Sequence, residues 1–115
     1  MKFSVPPRLS PIPPVKINLD ENTPPQRAVF TCRVLRGSSE SLSLEWLLTD
    51  GSPVQPINGI TVDVSQVAMN RFIELRFEPV RREHHGNYTC IAKNLADVTT
   101  AYANLLVECN FKKFI

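Results

Sequence analysis

Glycine is scarce in this chain, with four among 115 residues, and none of the four lies in a run that could cradle a phosphate. No G-x-S-x-G motif occurs, and no pair of carboxylates stands in apolar surroundings. There are only two histidines, His84 and His85, and they are adjacent. Neighbouring side chains on extended backbone point to opposite faces, so this pair is badly placed to chelate one metal. No cysteine or carboxylate constellation completes such a site, and Glu83 beside them reads as solvated surface in a turn. The sequence therefore offers no catalytic residue, no cofactor site and no metal ligands, and reads as a binding module rather than an enzyme. Charge of one sign is also lacking: 13 basic residues against 11 acidic ones give a net +2, and the basic residues are scattered. That excludes the basic patch of a nucleic-acid or anionic-membrane partner. No apolar run approaches a membrane span, and no stretch keeps a helical period.

Ten prolines punctuate a chain that is 43% apolar, enough for one core at this length. Short runs of β-branched and aromatic residues lie between the turns. Val5 to Pro14 suits an edge strand or lead-in, because proline cannot donate to a ladder, and Val15-Lys16-Ile17-Asn18-Leu19 should continue that first strand. Further strands are expected at Ala28 to Val34, Ser43 to Leu48, Ile60 to Val64, Phe72 to Phe77, Asn87 to Lys93 and Thr99 to Val107. Alternation turns Phe30, Cys32 and Val34 inward, with Leu44, Trp46 and Leu48 from the next strand. Leu75, Phe77 and Val80 should also enter the core. Asp50-Gly51 and Asn58-Gly59 are turn dipeptides flanking an irregular segment.

Three residues at the centres of these runs carry more. Trp46 follows Cys32 by 14 positions and Cys90 follows it by 58. Together with Tyr88, two residues before Cys90, this spacing resembles that of immunoglobulin sandwiches. The resemblance implies an all-β, two-sheet Greek-key sandwich in which Cys32 and Cys90 are bridged, the indole of Trp46 packs on the bridge, and the Tyr88 hydroxyl bonds back to nearby backbone. A bridge closing a loop of that size contributes about 4 kcal/mol in the chain-entropy model, and only in an oxidising compartment. Leu75-x-Phe77-x-x-Val80, followed by His84-His85-Gly86-Asn87-Tyr88-Thr89-Cys90-Ile91-Ala92-Lys93-Asn94, is similar to the signature of the intermediate (I-set) immunoglobulin domains, with His84 where an aspartate is common. That likeness covers about residues 6 to 108. It leaves 1–5 as an N-terminal lead-in and 109–115 as a tail or linker. The same run, with Pro6-Pro7-Arg8-Leu9-Ser10-Pro11, resembles domains of the Down syndrome cell adhesion molecule (Dscam) family, particularly the arthropod forms. This implies homophilic recognition at a cell surface. Met1 to Val5 lack a signal-peptide core, and the expectation is a fragment of a longer, membrane-anchored protein.

Asn87-Tyr88-Thr89 is a glycosylation sequon, and alternation turns Asn87 outward. Two outer faces could bind. On the sheet that immunoglobulin domains letter A-B-E-D, the outward positions are Thr31, Arg33, Thr61, Asp63, Phe72, Glu74, Arg76 and Glu78. An antiparallel two-fold could there set Arg33 or Arg76 against Asp63 or Glu74 of a second copy, and the resemblance favours this face for self-recognition. The opposite sheet would present Glu45, Leu47, Thr89, Ile91, Lys93, Tyr102, Asn104 and Leu106, a more apolar patch. The partner is then a second copy in trans or another cell-surface protein. The alternative is a receptor or matrix domain acting as heterophilic binder or spacer. An intracellular muscle-type domain would keep its thiols reduced. Cys109 has no partner in the chain: a free thiol, an intermolecular bridge and a bridge to another domain are all open.

Overall fold

The computed structural model describes residues 4–67 and 70–111. Eight strands account for most of them: β1 (Arg8–Leu9), β2 (Val15–Leu19), β3 (Ala28–Arg36), β4 (Ser43–Leu47), β5 (Ile60–Val67), β6 (Asn70–Phe77), β7 (Gly86–Lys93) and β8 (Val98–Cys109). A single 3-10 turn, Arg82–His84, lies between β6 and β7. The strands form two four-stranded sheets, in the orders β1-β3-β6-β5 and β2-β8-β7-β4. All pairings are antiparallel except that of β2 with β8.

Period-2 alternation drives this arrangement, since each strand must hide one face. Phe30, Cys32, Trp46, Ile73, Leu75, Phe77, Cys90 and Leu105 are the large residues sealed between the sheets. Burying side chains of this size contributes about 2 kcal/mol each. Register brings Cys32 opposite Ile73, and Cys90 between Trp46 and Ala101. The Cys32–Cys90 disulfide then joins β3 to β7 across the sandwich, with Trp46 in the same cluster. Phe77 meets Phe30 edge-on, with ring centroids 6.3 Å apart.

Two expectations are corrected. Residues 15–19 do not continue the first strand: β1 pairs with β3, whereas β2 joins the other sheet beside β8. Pro11, Pro13 and Pro14 lie between them, and without amide protons they cannot sustain a ladder. The chain therefore leaves one sheet and re-pairs in the other. Leu48 does not enter the core either. Strand β4 ends at Leu47, Leu48 is 37% exposed, and Leu42 is buried instead. The Leu48-to-Ser52 turn carries the chain away, with backbone bonds of Leu48 N–H to the Ser52 carbonyl and Gly51 N–H to the Leu48 carbonyl. The last strand runs to Cys109, which is half-buried opposite Leu19.

Candidate recognition face

The outer face of the β1-β3-β6-β5 sheet is built in rows by register. Thr31, Glu74 and Asp63 form one row across β3, β6 and β5; Val29, Arg76 and Thr61 form the next; Arg33, Phe72 and Ser65 form a third. The structure thus brings the expected outward residues together, with Glu78 exposed just past the end of β6. Several are already engaged within the chain. The Arg33 guanidinium lies 5.1 Å from the Phe72 ring centroid and donates to Asn70 Oδ1 at 2.6 Å. Arg76 pairs with Glu74 at 2.8 Å, two residues away on the same strand. Asp63, directly opposite Glu74 in the ladder, is exposed. The face therefore carries two neighbouring carboxylates, one bound by Arg76, and a basic group at Arg33 one row along.

On the opposite sheet, Glu45, Lys93 and Asn104 are exposed while Leu47, Thr89, Ile91 and Leu106 are half-buried. Tyr102, 69% exposed, stands clear, and Val98 on the same strand is 45% exposed. The anticipated apolar patch is thus smaller than the alternation suggests, because the leucines sink among their neighbours. Asn87 is exposed at the start of β7, and its Oδ1 accepts a 2.6 Å bond from Asn104 Nδ2.

The two ends of the sandwich are tied by polar side chains, of which sequence reasoning anticipated the Tyr88 hydroxyl and passed over the others. At the end where β7 turns into β8, Asn94 is buried. Its Nδ2 donates to the Val5 and Ser38 carbonyls, at 2.7 and 3.2 Å, and its Oδ1 accepts the Ala96 and Asp97 amides. Arg71 Nη1 adds bonds to the Gly37 carbonyl and Ser39 Oγ. Arg71 shares the inward parity of Ile73, Leu75 and Phe77, and that alternation was the available signal.

At the other end, the Tyr88 hydroxyl donates to the His84 carbonyl at 2.6 Å, as a tyrosine corner requires. Burial raises the Tyr88 pKa. His84 is only 3% exposed. Its Nδ1 accepts the Arg81 amide at 2.9 Å and its Nε2 lies 3.1 Å from the Asn58 carbonyl. Desolvation by burial holds the His84 pKa below its usual range, opposed by the bond to Asn58 and the charge of Glu83. Its neighbour His85, just past the 3-10 turn, is exposed; its Nδ1 accepts the Val107 amide at 3.0 Å. Among the described residues, no group of three or more His, Cys, Asp or Glu could hold a metal ion, and no helix is long and apolar enough to cross a membrane.

This geometry can be set beside known proteins. The cell adhesion molecule DSCAM of Rattus norvegicus is 31% identical over 83 residues, which are 72% of this chain but 4% of that protein. DSCAM of Homo sapiens matches to the same extent. The chain thus spans about 4% of the length of the curated relatives it matches. Among solved structures, the Dscam1 Ig7 domain, isoform 5, superposes with a TM-score of 0.71 at 24% identity, over 92% of this chain and all of that one. Isoform 9 gives 0.68 at 26% identity, over 90% and 100%. The titin M4 domain gives 0.71 at 17% identity, over 92% and 99%, a likeness of fold alone. The family model for the immunoglobulin domain matches residues 6–94. With its sheets, its bridge and its tyrosine corner in place, the chain belongs to the immunoglobulin-domain family.

Proposed function

We propose that this chain is an I-set recognition module of a cell-surface adhesion protein, acting outside the cell and binding a second copy of itself through the outer face of the β1-β3-β6-β5 sheet. The observation that carries this reading is the charge layout of that face. Asp63 stands beside Glu74 across the ladder, Arg76 is bound to Glu74, and Arg33 lies one row away. In an antiparallel two-fold, one patch meets its own copy, so Arg33 or Arg76 of one domain can face Asp63 or Glu74 of the other. Such pairing selects the partner by penalising like-charge registers more than it adds affinity. The likeness to proteins named cell adhesion molecules supports the general role. An exposed sequon at Asn87, on the opposite sheet, supports an extracellular setting in which a glycan obstructs that rival face and leaves this one open.

The test is sedimentation equilibrium of the oxidised, glycosylated domain across micromolar concentrations, with Cys109→Ser to prevent disulfide crosslinking. A reversible monomer–dimer equilibrium is expected. Arg33→Glu or Asp63→Arg should each weaken it at least about tenfold, with the pair together restoring it. A strict monomer would overturn the homophilic reading in favour of a heterophilic binder or spacer. A dimer untouched by either reversal would remove this face from the contact.

A further inference from the structure

Both histidines do the same unusual thing, and at the same end of the sandwich. Each presents an unprotonated Nδ1 to a backbone amide that has no ladder partner there. His84 takes the Arg81 N–H, and His85 takes the Val107 N–H just beyond the point where β7 stops pairing with β8 at Gly86 and Leu105. An imidazole can accept through Nδ1 only while neutral, and once protonated both ring nitrogens are donors. Each contact would then set one N–H against another. The neutral His84 must also carry its proton on Nε2, where it donates to the Asn58 carbonyl. That bond ties the Asn58–Gly59 turn, with φ of +53° and +84°, to the 3-10 turn. We infer that His84 and His85 form an acid-operated double latch: neutral, they hold the Asn58–Gly59 turn and the end of β8 against the 3-10 turn, and protonated, they release that end of the domain while the bridged centre stays folded.

The surroundings fit such a device. His84 also lines an apolar cleft of about 260 Å³ with Leu48, Val54, Ile57, Ile60 and Tyr88, and its ring lies 5.0 Å from that of Phe77. A charge there would sit against hydrocarbon, which is costly without a partner. The titratable and charged groups facing it are Arg81 and Glu83 on its own turn and the Tyr88 phenol on β7. His85 shares a more polar cleft with Asp50 from the turn after β4 and with Glu83. On β8, Glu108 follows Val107 and faces Lys16 at 3.6 Å. The latch is independent of whether the domain self-associates.

Hydrogen exchange of the oxidised 115-residue chain, followed amide by amide by NMR from about pH 7.5 to about pH 5, tests it. After correction for intrinsic rates, protection of the Arg81 and Val107 amides should fall at least about tenfold, while Leu75 and Cys90 keep theirs. In a His84→Asn/His85→Asn variant, whose amide oxygens accept the same bonds and do not titrate, protection should not vary with pH. Protection retained at low pH in the natural chain would overturn the proposal, as would an equal loss at Leu75 and Cys90 or a loss that persists in the double variant. Should that variant fail to fold, the nitrogen spectrum of the natural chain decides. Both rings should carry their proton on Nε2 at neutral pH, and an Nδ1–H tautomer in either would refute the latch.

Discussion

The two ends of this sandwich solve one problem with different chemistry. Each must tie loops onto a sheet and satisfy amides and carbonyls left over where strands stop. The end around Val5, Ser38 and Gly37 uses an amide and a guanidinium, Asn94 and Arg71. Neither group changes charge near neutral pH. The end around Asn58, Arg81 and Val107 uses two imidazoles. The ties made by Asn94 and Arg71 therefore do not change in mild acid, and the second end is built from the one side chain whose ordinary pKa falls where cells vary their pH. Equivalent bonds do not imply equivalent behaviour, because the acceptor's own proton affinity sets the conditions under which the bond exists.

The sharpest break of this comparison is at the centre that both ends share. Trp46→Ala empties the largest space between the sheets and should cost about 4 kcal/mol, measured by denaturant unfolding. That loss should be the same at neutral and mildly acidic pH, since no titrating group depends on the indole. A pH-dependent cost would mean that the ends are coupled through the core.

Asn94→Ala comes next. It strips a buried amide of four bonds and leaves the Val5 and Ser38 carbonyls without that donor. A loss of about 2 to 3 kcal/mol is expected, again flat with pH. Tyr88→Phe removes only the hydroxyl that bonds the His84 carbonyl. It should cost about 1 kcal/mol and lower the protection of the 3-10 turn first. An effect of Asn94→Ala no larger than that of Tyr88→Phe would show that the two ends are not held with unequal strength.

Much of this was legible in the chain before any coordinates. Cys32, Trp46, Tyr88 and Cys90 sit at the centres of alternating runs with a spacing that resembles immunoglobulin domains, and that resemblance implied the fold, the bridge and the corner together. The outward rows of β3, β5 and β6 could also be read, because alternation alone decides them. The partners inside those rows could not. That Arg33 would stack on Phe72 rather than remain free depends on register between strands 39 residues apart. The hop of residues 15–19 to the other sheet was hidden for a related reason: prolines mark a break but not where the chain re-pairs. Asn94 and His84 were missed because a buried polar side chain looks, in sequence, like any turn residue. Only its set of backbone partners distinguishes it.

Acid should separate the ends without any mutation. The His84 pKa is lowered in the folded state from 6.5, so below that pH the unfolded chain binds a proton that the folded chain resists. Stability rises with pH wherever the unfolded state binds more protons. His84's contribution is therefore complete above about 6.5 and is lost progressively as pH falls below it. Unfolding titrations of the natural chain should show that decline, and His84→Asn should flatten it. A decline unchanged in His84→Asn would move the sensitivity elsewhere.

The smallest effect belongs to Asp50, and it sharpens the comparison because it sits in the turn near His85 yet responds in a different window. Its carboxylate accepts bonds from the Ser52 hydroxyl at 2.6 Å and the Ser52 amide at 2.9 Å, and these lower its pKa from 3.8. For a depressed carboxylate, the contribution is present above the unfolded pKa and lost as pH falls through the folded one. Asp50 is fully solvated, so the loss should be slight and screened by salt. Asp50→Asn should leave the decline below neutrality untouched and alter only the strongly acidic limb of the curve. A change in the His84 window on Asp50→Asn would mean that the carboxylate, and not burial against Phe77 and the apolar cleft, sets the proton affinity at this end.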